Sequence, residues 1–222
     1  MQLRSLRKVS KDIVYMTLKE WIINGELEPG QSLIEENIAG LLSISRTPLR
    51  EAIQRLESEE LVIRQPNGRL KIAPLSREEV MEIFLIRSML EGIVARFAAL
   101  KATDADIEQL RIRLDNIGNA AQKGGEQDLL QYGSEFHTYL YELSGQKTTI
   151  KLLGMLNDRI MRYRRLVPRH DMGRQGKAYE EHRRIFEQIA SRNPDGAEMA
   201  MREHIMNSLQ TAVESLEKFE RQ

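Results

Sequence analysis

The chain contains no cysteine, which leaves histidines and carboxylates as its candidate metal ligands. Three of its four histidines fall on apolar helical stripes: His137 with Phe136 and Leu140, His182 with Tyr179, Phe186 and Ile189, and His204 with Met201 and Ser208. Rings on such stripes face inward. His182 and His204 are equidistant from Asn193, so an antiparallel helical hairpin about that residue sets them level with each other, and His137 on a third helix completes a triad. Three inward imidazoles bind Zn²⁺ or a similar ion and leave a coordination position for water or a ligand. The residues alone leave two readings open, a metal site or core histidines satisfied by hydrogen bonds. His170 reads as a surface residue of a loop over 168–176.

A second constellation is Arg46, Arg50 and Gln54, spaced by four, with Thr47 beside them. On a helix these lie opposite the apolar stripe Leu49, Ala52, Ile53 and Leu56. Two guanidiniums and an amide on one exposed face suit the major groove, where Arg pairs bidentately with guanine and Gln with adenine. A merely solvated helix, its arginines balanced by Glu51, is the alternative, and the surrounding elements decide between them.

Those elements have a recognisable order. Val14, Leu18, Trp21 and Ile22 predict a first helix over 11–24, ended by Gly25, Pro29 and Gly30. A second is expected over 32–42, then Ser43-Ile44 as a tight connection. Ser45 at an N-cap position and Pro48 in the first turn open a third helix over 46–59. Leu61-Val62-Ile63 and Leu70-Lys71-Ile72 flank Pro66-Asn67-Gly68, and Asn-Gly is a strong hairpin signal. Three helices and a two-stranded hairpin make a winged helix-turn-helix, with the helix-turn-helix over about 34–54 and Arg64, Gly68 and Arg69 on the wing near a DNA backbone. Pro74 closes this unit, giving a DNA-binding domain over 1–75.

Ser76-Arg77-Glu78-Glu79 has capping-box spacing. From there the pattern gives six helices, over 76–101, 104–123, 126–144, 147–167, 175–192 and 195–219, with breaks at Thr103, Gly124-Gly125, Gly145, the 168–176 loop and Asn193-Pro194. The fold class is therefore mainly α, a winged helix followed by an all-α six-to-seven-helix bundle over 76–222. The composition agrees: aromatics are only 5% of 222 residues, too few for a large sheet.

The lack of cysteine fits a reducing compartment, and no apolar run is long enough for a signal peptide or a membrane span, so a cytoplasmic location is expected. Formal net charge is zero, so the case for nucleic acid rests on local placement. The basic arm Arg4, Arg7, Lys8 and Lys11 either touches phosphates or is idle. Arg159, Arg162, Arg164, Arg165 and Arg169 read as a solvated helix face rather than a second nucleic-acid surface.

The run Ser45-Arg46-Thr47-Pro48-Leu49-Arg50-Glu51-Ala52, with Leu56 and Glu60-Leu61, resembles the signature of the GntR family of bacterial regulators. The resemblance implies that Arg46 and Arg50 contact DNA and that Gly68 is the wing glycine approaching its backbone. Some members carry a further Arg in the second helix, where this chain has Glu36. From Ser76 onward the layout resembles the FCD ligand-binding domain of the FadR subfamily, with Arg87, Glu91, Phe136-His137, Glu181-His182 and His204 matching its motifs. That likeness implies a divalent metal, Zn or Ni, on His137, His182 and His204, and a small carboxylate effector paired with Arg87, whose other partner is Glu91. Metal-binding members present Asp or Asn four residues before the first His, and this chain has Gly133 there.

The combined expectation is a ligand-responsive regulator, more a repressor than an activator and not an enzyme, that binds a palindromic double-stranded operator as a homodimer and has no membrane partner. A metal-dependent enzyme built on the triad is the alternative, but no carboxylate is placed as its general base. An architectural DNA-binding protein without an effector is the other, and it would not need so long a second domain.

Overall fold

The computed structural model describes residues 11–123, 126–166 and 172–221. The arm at Arg4, Arg7 and Lys8, the Gly124-Gly125 break, and Arg169 and His170 lie outside the described residues. The chain divides into two compact units, Met1–Ser76 with Met161–Arg165, and Arg77–Ile160 with Leu166–Gln222.

In the first unit, α1 (Lys11–Asn24), α2 (Glu35–Leu42) and α3 (Arg46–Ser58) pack their apolar stripes into one core with β2 (Val62–Arg64) and β3 (Leu70–Ile72). Leu18, Leu49, Leu56, Leu61 and Ile72 are fully buried in it. The expected stripe of α3 is all inside, which leaves its opposite face to solvent.

The start of the second helix needs correcting. Ser32 and Leu33 form a strand, β1, antiparallel to β3, with Ser32 opposite Lys71 and Leu33 opposite Leu70. The wing is therefore a three-stranded antiparallel sheet in the order β1-β3-β2 rather than a two-stranded hairpin. Gly30, at φ 78°, turns the chain back, and its N–H donates to the Ile72 carbonyl while Ile72 N–H donates to that of Gln31. Glycine alone takes this conformation without strain. The hairpin closes on three residues: Gln65 N–H bonds the Arg69 carbonyl, Gly68 N–H bonds that of Gln65, and Gly68 sits at φ 81°.

The second unit is helical: α4 (Arg77–Lys101), α5 (Asp104–Lys123), α6 (Glu126–Ser144), α7 (Lys147–Arg164), α8 (Met172–Ala190) and α9 (Pro194–Glu220), α7 giving its last turn to the first unit. α4 and α9 run antiparallel, pinned by Arg77–Glu217 at one end and by Arg96 with Asp195 and Glu198 at the other. They approach closely at Gly92, where a Cβ would lie 2.9 Å from Arg202 Cγ. Between α8 and α9, Asn193 caps α9 by accepting from Gly196 N–H, and Pro194 takes the first helical position. This turn makes α8 and α9 a hairpin and brings His182 level with His204. No described helix is long and apolar enough to cross a membrane.

The arginine cluster on α7 is also not the solvated face expected. Arg162 is 1% exposed, with Nη2 donating to the Ala73 carbonyl, and Arg165 Nη1 donates to the Asn24 carbonyl. Arg159 pairs with Glu79 at 2.6 Å. These guanidiniums cover backbone carbonyls and a carboxylate that the local pattern gave no sign of.

Candidate functional site

Arg46, Thr47, Arg50 and Gln54 are all exposed along one side of α3, beginning at its first residue. Ser45 has the extended backbone of an N-cap, but its side chain makes no cap bond. The two arginines are not bare. Arg46 pairs with Glu36 at 3.0 Å and Arg50 with Glu35 at 2.9 Å, both acids being in the first turn of α2. Exposed pairs of this kind are weak, so the guanidiniums can exchange a carboxylate for a phosphate or base edge. The acids place negative charge beside this exposed face, and against a duplex each would oppose the approach of phosphate. Glu36→Gln is expected to tighten binding to any duplex by roughly two- to fivefold, measured by anisotropy at fixed salt. Unchanged or weaker binding would show that Glu36 does not compete.

On the wing, Gly68 and Arg69 are exposed at the tip. Arg64 has a bracing role that sequence alone does not disclose: Nη2 donates to Glu57 Oε2 at 2.9 Å, and Nη1 to the Gly68 carbonyl at 3.3 Å. It ties α3 to the wing, so any phosphate contact it makes is shared with that task.

In the second unit, His137 from α6, His182 from α8 and His204 from α9 are buried together, 8%, 5% and 6% exposed. Each offers a ring nitrogen within 4.8 Å of the others. His137 Nε2 and His204 Nε2 are 3.3 Å apart, while every Nδ1 faces an acceptor: Glu91 Oε2 at 3.3 Å for His137, the Ala178 carbonyl at 2.7 Å for His182, Glu181 Oε2 at 2.8 Å for His204. An acceptor at Nδ1 fixes the proton there and leaves the Nε2 lone pair facing inward. With both Nδ1 atoms protonated, the facing lone pairs of His137 and His204 repel, and either a shared proton or a metal cation between them relieves this. Nitrogens about 2.1 Å from a common Zn²⁺, at angles between octahedral and tetrahedral, stand roughly 3.0–3.4 Å apart. The observed 3.3 Å fits that span, so the donor set suits a borderline divalent ion.

Two carboxylates complete the arrangement. Glu91 is fully buried and also accepts from Tyr141 Oη at 2.7 Å and from Arg87 Nε and Nη2 at 3.3 Å each. Burial opposes its charge, but His137, Arg87 and Tyr141 together hold it down to about 2. Glu181 is steadied by Asn207 Nδ2 at 3.0 Å. Arg87, 8% exposed, therefore already pairs with Glu91, one turn away on its own helix. The spacing of Arg87 and Glu91 on one helix makes that pair an expected one. That Glu91 also gathers His137 and Tyr141 depends on how α6 lies against α4, which no local signal reports.

His204 is pushed down to about 4 by burial, with the Glu181 hydrogen bond opposing the shift and the nearby His137 and Arg87 adding to it. The unfolded chain binds that proton near pH 6.5. Between about 6.5 and 4 the unfolded state thus takes up a proton that the folded state refuses, and stability falls as pH drops through the window. Glu91 stays ionised throughout it. Chelator-treated protein is expected to lose roughly 5 °C of Tm between pH 7 and 5, and His204→Asn to lose most of that dependence. A variant as pH-sensitive as the parent would contradict the assignment.

Known proteins supply the family. Residues 11–72 match the bacterial regulatory proteins of the gntR family, and residues 82–207 match the FCD domain. The chain is 30% identical over 206 residues to the HTH-type transcriptional regulator LutR of Bacillus subtilis, covering 84% of this chain and 93% of that protein. It is 27% identical over 209 residues to the HTH-type transcriptional repressor RspR of Escherichia coli, covering 92% and 89%. Among solved structures, E. coli McbR/YncC has a similar fold, with a TM-score of 0.72 at 22% identity over 91% of this chain and 96% of that one. The relatives are DNA-binding regulators, not enzymes, which removes the metal-dependent enzyme reading of the triad. The chain belongs to the GntR family of bacterial transcriptional regulators, with a winged helix-turn-helix followed by an FCD domain.

Proposed function

We propose that the chain is a ligand-responsive repressor acting in the cytoplasm, with residues 1–75 as the DNA-reading head and 76–222 as the effector-binding and dimerisation domain. As a homodimer it reads a palindromic double-stranded operator, Arg46, Thr47, Arg50 and Gln54 entering the major groove and Arg64, Gly68 and Arg69 flanking it at the backbone. The observation that carries this reading is the α3 face itself, four polar side chains exposed in a row above a fully buried stripe. Repression is supported by the name of RspR.

In the second domain, His137, His182 and His204 hold a divalent ion such as Zn²⁺ or Ni²⁺, which supplies a positive site for anionic oxygen. Glu91 and Glu181 keep the His137 and His204 tautomers correct. A small carboxylate completes the site, helped by Arg87, which uses two of its five N–H groups on Glu91. Its arrival changes the affinity for operator by altering the spacing or mobility of the two heads. The test is anisotropy of a labelled operator with metal-loaded and chelator-treated protein across a panel of small carboxylates. A shift in affinity confined to loaded protein supports the reading, and no shift with any acid refutes ligand response.

A further inference from the structure

β3 ends at Ile72 and α4 begins at Arg77, so the connector leading out of the DNA-binding head is four residues long, Ala73-Pro74-Leu75-Ser76. Connectors usually give their backbone polar groups to water. Here α7 takes them. Arg162 Nη2 donates to the Ala73 carbonyl, while the Tyr163 hydroxyl accepts from Ser76 N–H and donates to the Ser76 carbonyl, at 3.1 Å each. Ala73 N–H donates to the Leu61 carbonyl at 3.0 Å, and Pro74 has no N–H. Arg162 and Tyr163 are both fully buried. Burying a guanidinium is costly, and what it secures here is a short piece of backbone.

The same stretch of chain holds what lies on either side of the connector. Arg159 donates to Glu79 Oε1 in the first turn of α4, from Nε at 2.8 Å and Nη2 at 2.6 Å. Arg165 Nη1 donates at 3.1 Å to the carbonyl of Asn24, the last residue of α1. α1 has no basic residue in its own last turn, so Arg165 supplies the cation that a helix C-terminus favours. Gly25 makes room for it, since a Cβ there would lie 1.0 Å from Arg165 Nη1. Arg159 and Glu79 belong to the second unit and the other pairs to the first, yet all four side chains come from residues 159–165.

We infer that the end of α7 is a splint for the connector, and that Arg162, Tyr163 and Arg165 are positioning residues that fix the spacing at which the paired heads of a homodimer meet DNA. The inference rests on the operator reading above. A head on a restrained connector finds the second half-site at high effective concentration only when the half-site spacing matches. A head on a loose connector accepts several spacings and gains less at each, because ordering it on DNA costs entropy. The splint thus adds selectivity for spacing, which contacts from α3 to base edges do not provide.

The test uses the full chain and three labelled duplexes: the two-fold-symmetric site that it enriches from a randomised pool, that site with two extra base pairs between its halves, and one half-site alone. Wild type is expected to bind the lengthened site at least roughly tenfold more weakly than the enriched one. Tyr163→Phe combined with Arg165→Ala removes the hydroxyl and the partly exposed guanidinium but leaves Arg162 in place, so the core is kept. This double variant should bind the half-site within about twofold of wild type, bind the enriched site roughly fivefold more weakly, and show a spacing penalty under about threefold. Arg162→Met should act in the same direction and more strongly, and if it does not fold the double variant carries the test.

A spacing penalty as large in the double variant as in wild type would overturn the inference and leave the operator reading standing. Equal losses on the half-site and the full site would do the same, because they mark a head damaged in itself. If wild type enriches no two-fold-symmetric site, the operator reading fails and the inference falls with it.

Discussion

Adding Zn²⁺ or Ni²⁺ to chelator-treated protein is expected to raise its melting temperature by roughly 10 °C once free ion exceeds the dissociation constant about a thousandfold. The size of the effect comes from preorganisation. The three rings are already gathered on α6, α8 and α9, and their Nδ1 protons are fixed by Glu91, Ala178 and Glu181. The ion also replaces the repulsion between the inward lone pairs of His137 and His204 at 3.3 Å with two bonds. Since the unfolded chain offers no comparable cluster, nearly all of the binding free energy appears as stability. His182→Ala removes one donor without stranding either carboxylate, and should abolish most of the shift while the metal-free variant still melts cooperatively. A shift equal in both proteins would place the ion elsewhere, and no shift in the parent would make His182→Ala a packing substitution only.

The second large effect concerns DNA. Arg46→Ala and Arg50→Ala should each weaken specific binding by roughly ten- to a hundredfold, and the double variant should fall to the non-specific level. Neither should move Tm by more than about 2 °C, because both arginine side chains are exposed, and of their partners Glu36 lies in solvent and Glu35 is only part-buried. By contrast, Glu36→Gln acts through charge alone and changes affinity for all sequences alike. If the arginine variants lost affinity uniformly across sequences, they would be phosphate contacts and base reading would lie with Thr47 and Gln54.

Much of this arrangement is legible in the order and spacing of the residues. The α3 face, the wing turn at Asn67-Gly68 and the helix breaks at Thr103, Gly145 and Asn193-Pro194 follow from spacing, caps and turn chemistry, all of which act within a few residues, whereas α8 starts at Met172, inside the expected 168–176 loop. The triad is legible for a related reason: the three rings share stripes with core residues, and Asn193-Pro194 marks the hairpin that sets His182 against His204. What escapes is long-range. β1 is two residues long and finds its partner in β3, far along the chain, while Leu33 and Ile34 alone fit a helical stripe. The burial of Arg162 against Ala73, the brace from Arg64 to Glu57, and the convergence of Arg87, His137 and Tyr141 on Glu91 are likewise set by packing. Polar side chains carry no sequence mark of whether their partner is water or a distant carbonyl.

The reading of α3 as the face that selects an operator is tested most directly by enriching a randomised duplex pool on the purified protein at near-physiological salt and sequencing what is retained. The expected result is a two-fold-symmetric site, with half-sites about one helical turn apart, that disappears when the selection is repeated with Arg46→Ala or Arg50→Ala. Enrichment of the same site by both variants, or no enriched sequence with any metal or carboxylate present, would contradict it.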